Sequence, residues 1–110
     1  MIDAQLQAAL DLFLAKVNEG FEKQNATMGN WNKVNGKPYY EYPTVEEGSK
    51  FLRIVRKSAG SASVYCFVNK LDGSILKAAG YKAPAKGVRG SVFKPESYAH
   101  ADAYGGWLYR

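Results

Sequence analysis

The stretch Ser63-Val64-Tyr65-Cys66-Phe67-Val68-Asn69-Lys70, followed by Leu71-Asp72-Gly73-Ser74 and then Ile75-Leu76-Lys77-Ala78, decides the fold. Side chains of a strand alternate between its two sides, so Val64, Cys66 and Val68 share one face and Tyr65, Phe67 and Asn69 the other. Asp-Gly is a favoured pair at the tip of a tight hairpin, and Ile75–Ala78 returns as the next strand. Upstream, Lys50–Lys57 has the same period. Leu52 and Ile54 fall on one side, with Phe51, Arg53, Val55 and Lys57 on the other, and Ser58-Ala59-Gly60-Ser61 turns the chain. The pattern predicts an antiparallel meander with one β-branched face and one aromatic-and-basic face. The first needs apolar cover. The second is the candidate ligand surface.

The cover comes from the N-terminal end. Leu6, Ala9, Leu10, Phe13, Leu14, Val17 and Phe21 recur at three- and four-residue spacing, which predicts one amphipathic helix over residues 3–24. Asp3 is placed to cap it by accepting from the first free amides. The stripe packs on the sheet of its own domain or against a copy of itself. The fold class expected is therefore α+β, a long N-terminal amphipathic helix on a small antiparallel β-meander, in a single domain spanning 1–110.

Two segments flank the basic β region of residues 50–94. Residues 25–49 are rich in turn formers yet hold Trp31, Tyr39, Tyr40 and Tyr42, which cover one end of the core or line a groove. Residues 95–110 end on Tyr104, Trp107 and Tyr109 around a Gly pair, and are expected to dock as an edge strand or plug a groove.

Charge is sharply polarised. Lys50–Lys94 holds ten of the fifteen Lys and Arg and a single acid, Asp72, a local charge of +9, whereas residues 1–49 sum to −3. A block this dense repels itself when folded, and such blocks commonly exist to meet a polyanion. Phe51, Tyr65, Phe67, Tyr81 and Phe93 are interleaved with it. Cations can follow a phosphate backbone while rings stack on unpaired bases, which is how single strands are bound without sequence reading. The plain alternative is a solvated sheet face with ordinary core aromatics. Within the block, Lys82-Ala83-Pro84-Ala85-Lys86-Gly87-Val88-Arg89-Gly90 sets three cations at spacings of four and three among small residues, where backbone amides can approach phosphate oxygens. It lacks the Walker pattern.

Other classes are disfavoured. The apolar runs are far too short for a membrane span, and the start Met-Ile-Asp-Ala-Gln has no export signal. One cysteine, Cys66, and one histidine, His100, cannot assemble an internal disulfide or a zinc ligand set. No nucleophile–base grouping stands at recognisable spacing, and Glu46-Glu47 reads as a solvated turn. The chain is expected not to be an enzyme, to need no cofactor or metal, and to work in a reducing cytoplasm.

The run from Ser63 to Lys70, then Gly73-Ser74-Ile75-Leu76-Lys77-Ala78-Ala79, then Tyr81 through Gly90, resembles a family of small proteins of lytic tailed phages. They are similar in a K-A-A…K-A-P-A-K-x-x-R-G core and a Tyr-Gly…Tyr-(Leu)-Arg ending, over about residues 50–110. The resemblance extends to single-stranded DNA-binding transcription cofactors of lytic podoviruses. It implies a fold that is not a standard OB barrel, and too few strands are legible here for five closed ones. By position it implies nucleic-acid contacts at Tyr65, Phe67, Lys77, Lys82, Lys86 and Arg89, with Tyr81 where the family often has Trp. Arg53 and Lys57 join this set from the basic strand face. The resulting expectation is a phage single-stranded DNA-binding protein of low sequence specificity, in transcription or replication in the host cytoplasm. Its expected partners are single-stranded DNA, a phage RNA polymerase and further copies of the chain. The alternatives are a phage protein that modulates a host protein through residues 31–42, and an RNA-binding accessory protein.

Overall fold

A computed structural model describes residues 3–28, 40–58, 61–101 and 108. The helix α1 covers Ala4–Met28, one turn beyond the stretch predicted. Asp3 caps it as expected. Its carboxylate accepts from the Leu6 amide at 2.7 Å, and its carbonyl accepts from the Gln7 amide at 3.0 Å. Leu6, Leu10, Phe13, Leu14, Val17 and Phe21 are all buried within the subunit. The stripe lies in one core cluster with sheet residues, Tyr40 and Tyr98. Each such side chain contributes about 1.5–3 kcal/mol by leaving water, so this layer is the main stabiliser of the fold.

Five strands follow in sequence order and pair antiparallel throughout: β1 (Thr44–Glu47), β2 (Phe51–Ser58), β3 (Ser61–Asn69), β4 (Ser74–Leu76) and β5 (Gly90–Ser91). The sheet is open, so the α+β class and the absence of a closed barrel are as expected. A short 3-10 helix, Pro95–Tyr98, closes the described core, with the Tyr98 ring edge-on to Phe13 at 5.0 Å. Leu52, Ile54, Cys66, Val68 and Ile75 meet the helix. Burial pushes the Cys66 thiol upward in pKa, so it behaves as a small inert hydrophobe.

The meander departs from simple alternation at one place. Ile54 pairs with Cys66 but Val55 pairs with Val64, which leaves Tyr65 as an extra residue on β3. A bulge re-aims side chains. Tyr65 and Cys66 are therefore both in the helix-side core, and Tyr65 sits edge-on to Phe21 at 5.8 Å. Its assignment to the aromatic-and-basic face is corrected by that bulge. Val64 takes the opposite course, pairing with Val55, which is buried outside the core cluster.

Two turns also differ from expectation. Thr44–Glu47, read as part of a solvated acidic turn, is an edge strand whose register sets Glu46 opposite Arg53 and Glu47 opposite Leu52. The β3–β4 connection is longer than a two-residue hairpin. The Gly73 amide donates to the Asn69 carbonyl at 2.9 Å, while the side chains of Asn69 and Asp72 accept from the Leu71 and Ser74 amides. Hydrogen bonds from the Ser74 hydroxyl and then from its amide hold the Asp72 carboxyl below its ordinary pKa. Gly73 has φ +75°, and a Cβ there would lie 2.7 Å from the Phe93 ring, so only glycine fits.

Of the aromatic segments, Trp31, Tyr39, Tyr104, Trp107 and Tyr109 lie outside the described residues. Tyr40 is buried, stacked on Phe21 at 5.3 Å. Its backbone is held by the Asn25 side chain, which both donates to the Tyr40 carbonyl and accepts from its amide at 3.0 Å, as a neighbouring strand would. Leu108 is buried in the core.

Candidate nucleic-acid interface

The sheet's outer face is built from one row of the register. Glu46, Arg53, Phe67 and Leu76 stand side by side on β1 to β4. Directly opposed side chains are close enough to interact. Arg53 Nη1 donates to Glu46 Oε1 at 2.8 Å, and its guanidinium lies 5.8 Å from the Phe67 ring centroid and 4.7 Å from that of Tyr81. Phe67 also meets Phe51 edge-on at 6.2 Å. This cover explains why Phe67, although on the outer face, is 3% exposed and offers no open ring to a base.

Tyr81 reaches Arg53 from the segment between β4 and β5, which folds as a small hairpin of its own. Ala78 bridges Pro84, the Ala79 and Gly80 amides donate to the Ala83 carbonyl at 3.0 and 3.3 Å, and the Ala85 amide donates to the Lys77 carbonyl at 2.8 Å. Tyr81 and Lys82 form its tip. The second turn, through Lys86 and Gly87 (φ +98°), returns the chain to Arg89, whose amide donates to the Ile75 carbonyl at 2.7 Å. The amides of Ala79, Gly80, Ala85 and Arg89 are therefore committed internally. Those four amides do not serve as a backbone phosphate cradle, and the side chains carry what phosphate contact the segment makes.

Charge compensation divides the basic block in two. On the sheet, the β1 carboxylates are used: Glu46 on Arg53, and Glu47 on Lys70 at 2.6 Å. The Glu47 carboxyl is drawn down to about 2, with Lys70 as the largest cause, and Lys70 also donates to the Gly48 carbonyl at 2.9 Å. Beyond the sheet, Lys82, Lys86 and Lys94 are exposed and have no carboxylate partner among the described residues. Two rings accompany them, Tyr81 at 48% and Phe93 at 47% exposure.

The residues expected to bind are thus distributed unevenly. Arg53, Phe67, Tyr81 and Lys82 are brought together on the outer face, while Lys77, Lys86 and Arg89 follow along the hairpin segment. Lys57 is exposed near the β2–β3 turn, paired in register with Ala62 and apart from the rest. Tyr65 is in the core. Lys50 and Phe51, which had no assigned contact, border the same surface, with the Lys50 ammonium 5.7 Å from the Phe51 ring centroid. For Phe51 the signal was present in the period of two, which sets it beside Arg53.

Residues 1–110 match the DUF7717 family, a family of unknown function. The chain belongs to this family. No curated protein and no solved structure matches it. Among the described residues no helix of this DUF7717 member is long and apolar enough to cross a membrane, and no cluster of three or more His, Cys, Asp or Glu is gathered as a metal site.

Proposed function

We propose that this chain binds single-stranded nucleic acid, with DNA the expected polymer and little sequence preference, through the segment Lys77–Lys94. The observation that carries the reading is that Lys82, Lys86 and Lys94 on that segment are exposed without a carboxylate partner among the described residues, on the same segment as two exposed rings, Tyr81 and Phe93. Uncompensated lysines gain by neutralising phosphates and releasing counterions. Exposed rings gain by stacking on bases, which only unpaired bases permit. With Tyr65 and Phe67 buried, stacking falls to Tyr81 and Phe93. The motif resemblance supports a phage protein acting in transcription or replication in the host cytoplasm, with a phage RNA polymerase as protein partner. Joining copies would lengthen the track along one strand and raise avidity.

A fluorescence-polarisation titration with single-stranded DNA, duplex DNA and single-stranded RNA of equal length tests the proposal. Single strands are expected to bind more tightly than duplex at the same salt. Equal affinity for single strand and duplex would leave a plain polycation. RNA binding more tightly than DNA would move the function to an RNA-binding accessory protein.

A further inference from the structure

A cleft of about 200 Å³ opens on the outer face, walled by the β1–β2 turn, by Phe51, Arg53, Phe67 and Lys82, and by Glu46 and Glu47, whose carboxylates are engaged by Arg53 and Lys70. It joins two regions with different jobs. Phe51 and Phe67 belong to the sheet beside the Arg53–Glu46 pair, whereas Lys82 stands at the tip of the hairpin, exposed and without a carboxylate partner among the described residues. A strand following Lys86 and Lys82 by its phosphates therefore passes the mouth of the cleft.

Resting on the proposed single-strand binding, we infer that this cleft takes one unpaired nucleobase, seated against Phe51 with its phosphate on Lys82. Two features of the cleft fit a base. Phe51 is half-buried, braced on one side by the edge-on Phe67 ring at 6.2 Å, so it presents a fixed aromatic surface. Lys50, 5.7 Å from that ring, adds a cation at the rim, and Lys82 adds a second. An aliphatic or peptide ligand would use neither the ring nor the rim cations as fully.

The cleft makes a subsite distinct from Tyr81 and Phe93, and photocrosslinking separates them. A short oligothymidylate carrying one 5-iodouracil is bound to the full chain and irradiated, and the adduct is mapped by mass spectrometry. An adduct at Phe51 is expected. In parallel, Phe51→Leu keeps an apolar side chain but no ring, and is expected to weaken oligothymidylate binding about fivefold or more, the low end for loss of one stacked base. The crosslink uses the unmodified chain, so it decides the matter even if that variant folds poorly. Adducts confined to Tyr81 or Phe93 overturn the cleft and leave single-strand binding standing. No binding of the oligonucleotide by the unmodified chain overturns both.

Discussion

The outer face around Arg53 and the segment Lys77–Lys94 draw on the same residue types and put them to opposite uses. Around Arg53, a cation is matched to a carboxylate by strand register and its plane is covered by rings. Along the segment, Lys82, Lys86 and Lys94 are exposed without a carboxylate partner among the described residues, beside the exposed Phe93 ring and the outer side of Tyr81. A basic, aromatic-rich sequence therefore holds two kinds of cation in one molecule, Arg53 and Lys70 paired with the β1 carboxylates and Lys82, Lys86 and Lys94 without a carboxylate partner among the described residues. Local density of Lys and Arg does not distinguish them. The location of the carboxylates does.

The strongest way to break this comparison is through the aromatics. Tyr65→Ala removes a ring from the core beside Phe21 and is expected to cost about 3–5 kcal/mol of stability, as for other large aromatic truncations. Chemical denaturation measures it. Tyr81→Ala leaves the core intact, and its main effect should appear as weaker binding of single-stranded DNA. A Tyr65→Ala variant as stable as the parent would contradict the bulge that turns this ring inward.

Arg53→Ala sharpens the charge half of the comparison. It leaves Glu46 unpaired and uncovers Phe67 and Tyr81. The ion pair is partly exposed and contributes at most about 1 kcal/mol, with a further ~0.5–1 kcal/mol from the stacked ring. A loss of about 1–2 kcal/mol in stability is expected, with little change in the salt dependence of DNA binding. A large drop in salt dependence on this single change would show that Arg53 meets phosphate directly.

The smallest effect is in acid. The Glu47 carboxyl is lowered from 4.5 to about 2 in the folded state, with the hydrogen bond from Lys70 as the largest cause and the N-terminal amine as the second. A depressed carboxylate pKa adds stability that is complete above the unfolded value and is lost as pH falls through the folded one. The Glu47–Lys70 tie should thus fade between about pH 4.5 and pH 2. Glu47→Gln is expected to remove that part of the acid dependence, seen by thermal melts across the range. The pair is exposed and screened by salt, so the difference will be modest.

The helix and the three central strands were legible because their periods of 3.6 and two are local properties of the side chains. Asp3 as a cap was legible for the same reason. β1 was not, because Thr44-Val45-Glu46-Glu47 is short, exposed and acidic, and becomes a strand only by pairing with Lys50–Lys57. The bulge at Tyr65 was hidden since alternation continues smoothly through it in sequence. At the candidate site the cations could be read directly. Which of them are neutralised could not, because Glu46 and Arg53 meet by register across two strands rather than by spacing along one.

The salt dependence of single-stranded DNA affinity tests the central claim most directly, comparing the parent chain with the triple variant Lys82→Ala, Lys86→Ala, Lys94→Ala. These side chains are exposed, so the variant should melt with the parent to within about 0.5 kcal/mol. If each lysine neutralises one phosphate, the slope of log affinity against log salt should flatten by about 2 units, at roughly 0.7 for each phosphate of a single strand. An unchanged slope in a folded variant would contradict the account and remove this segment from the binding surface.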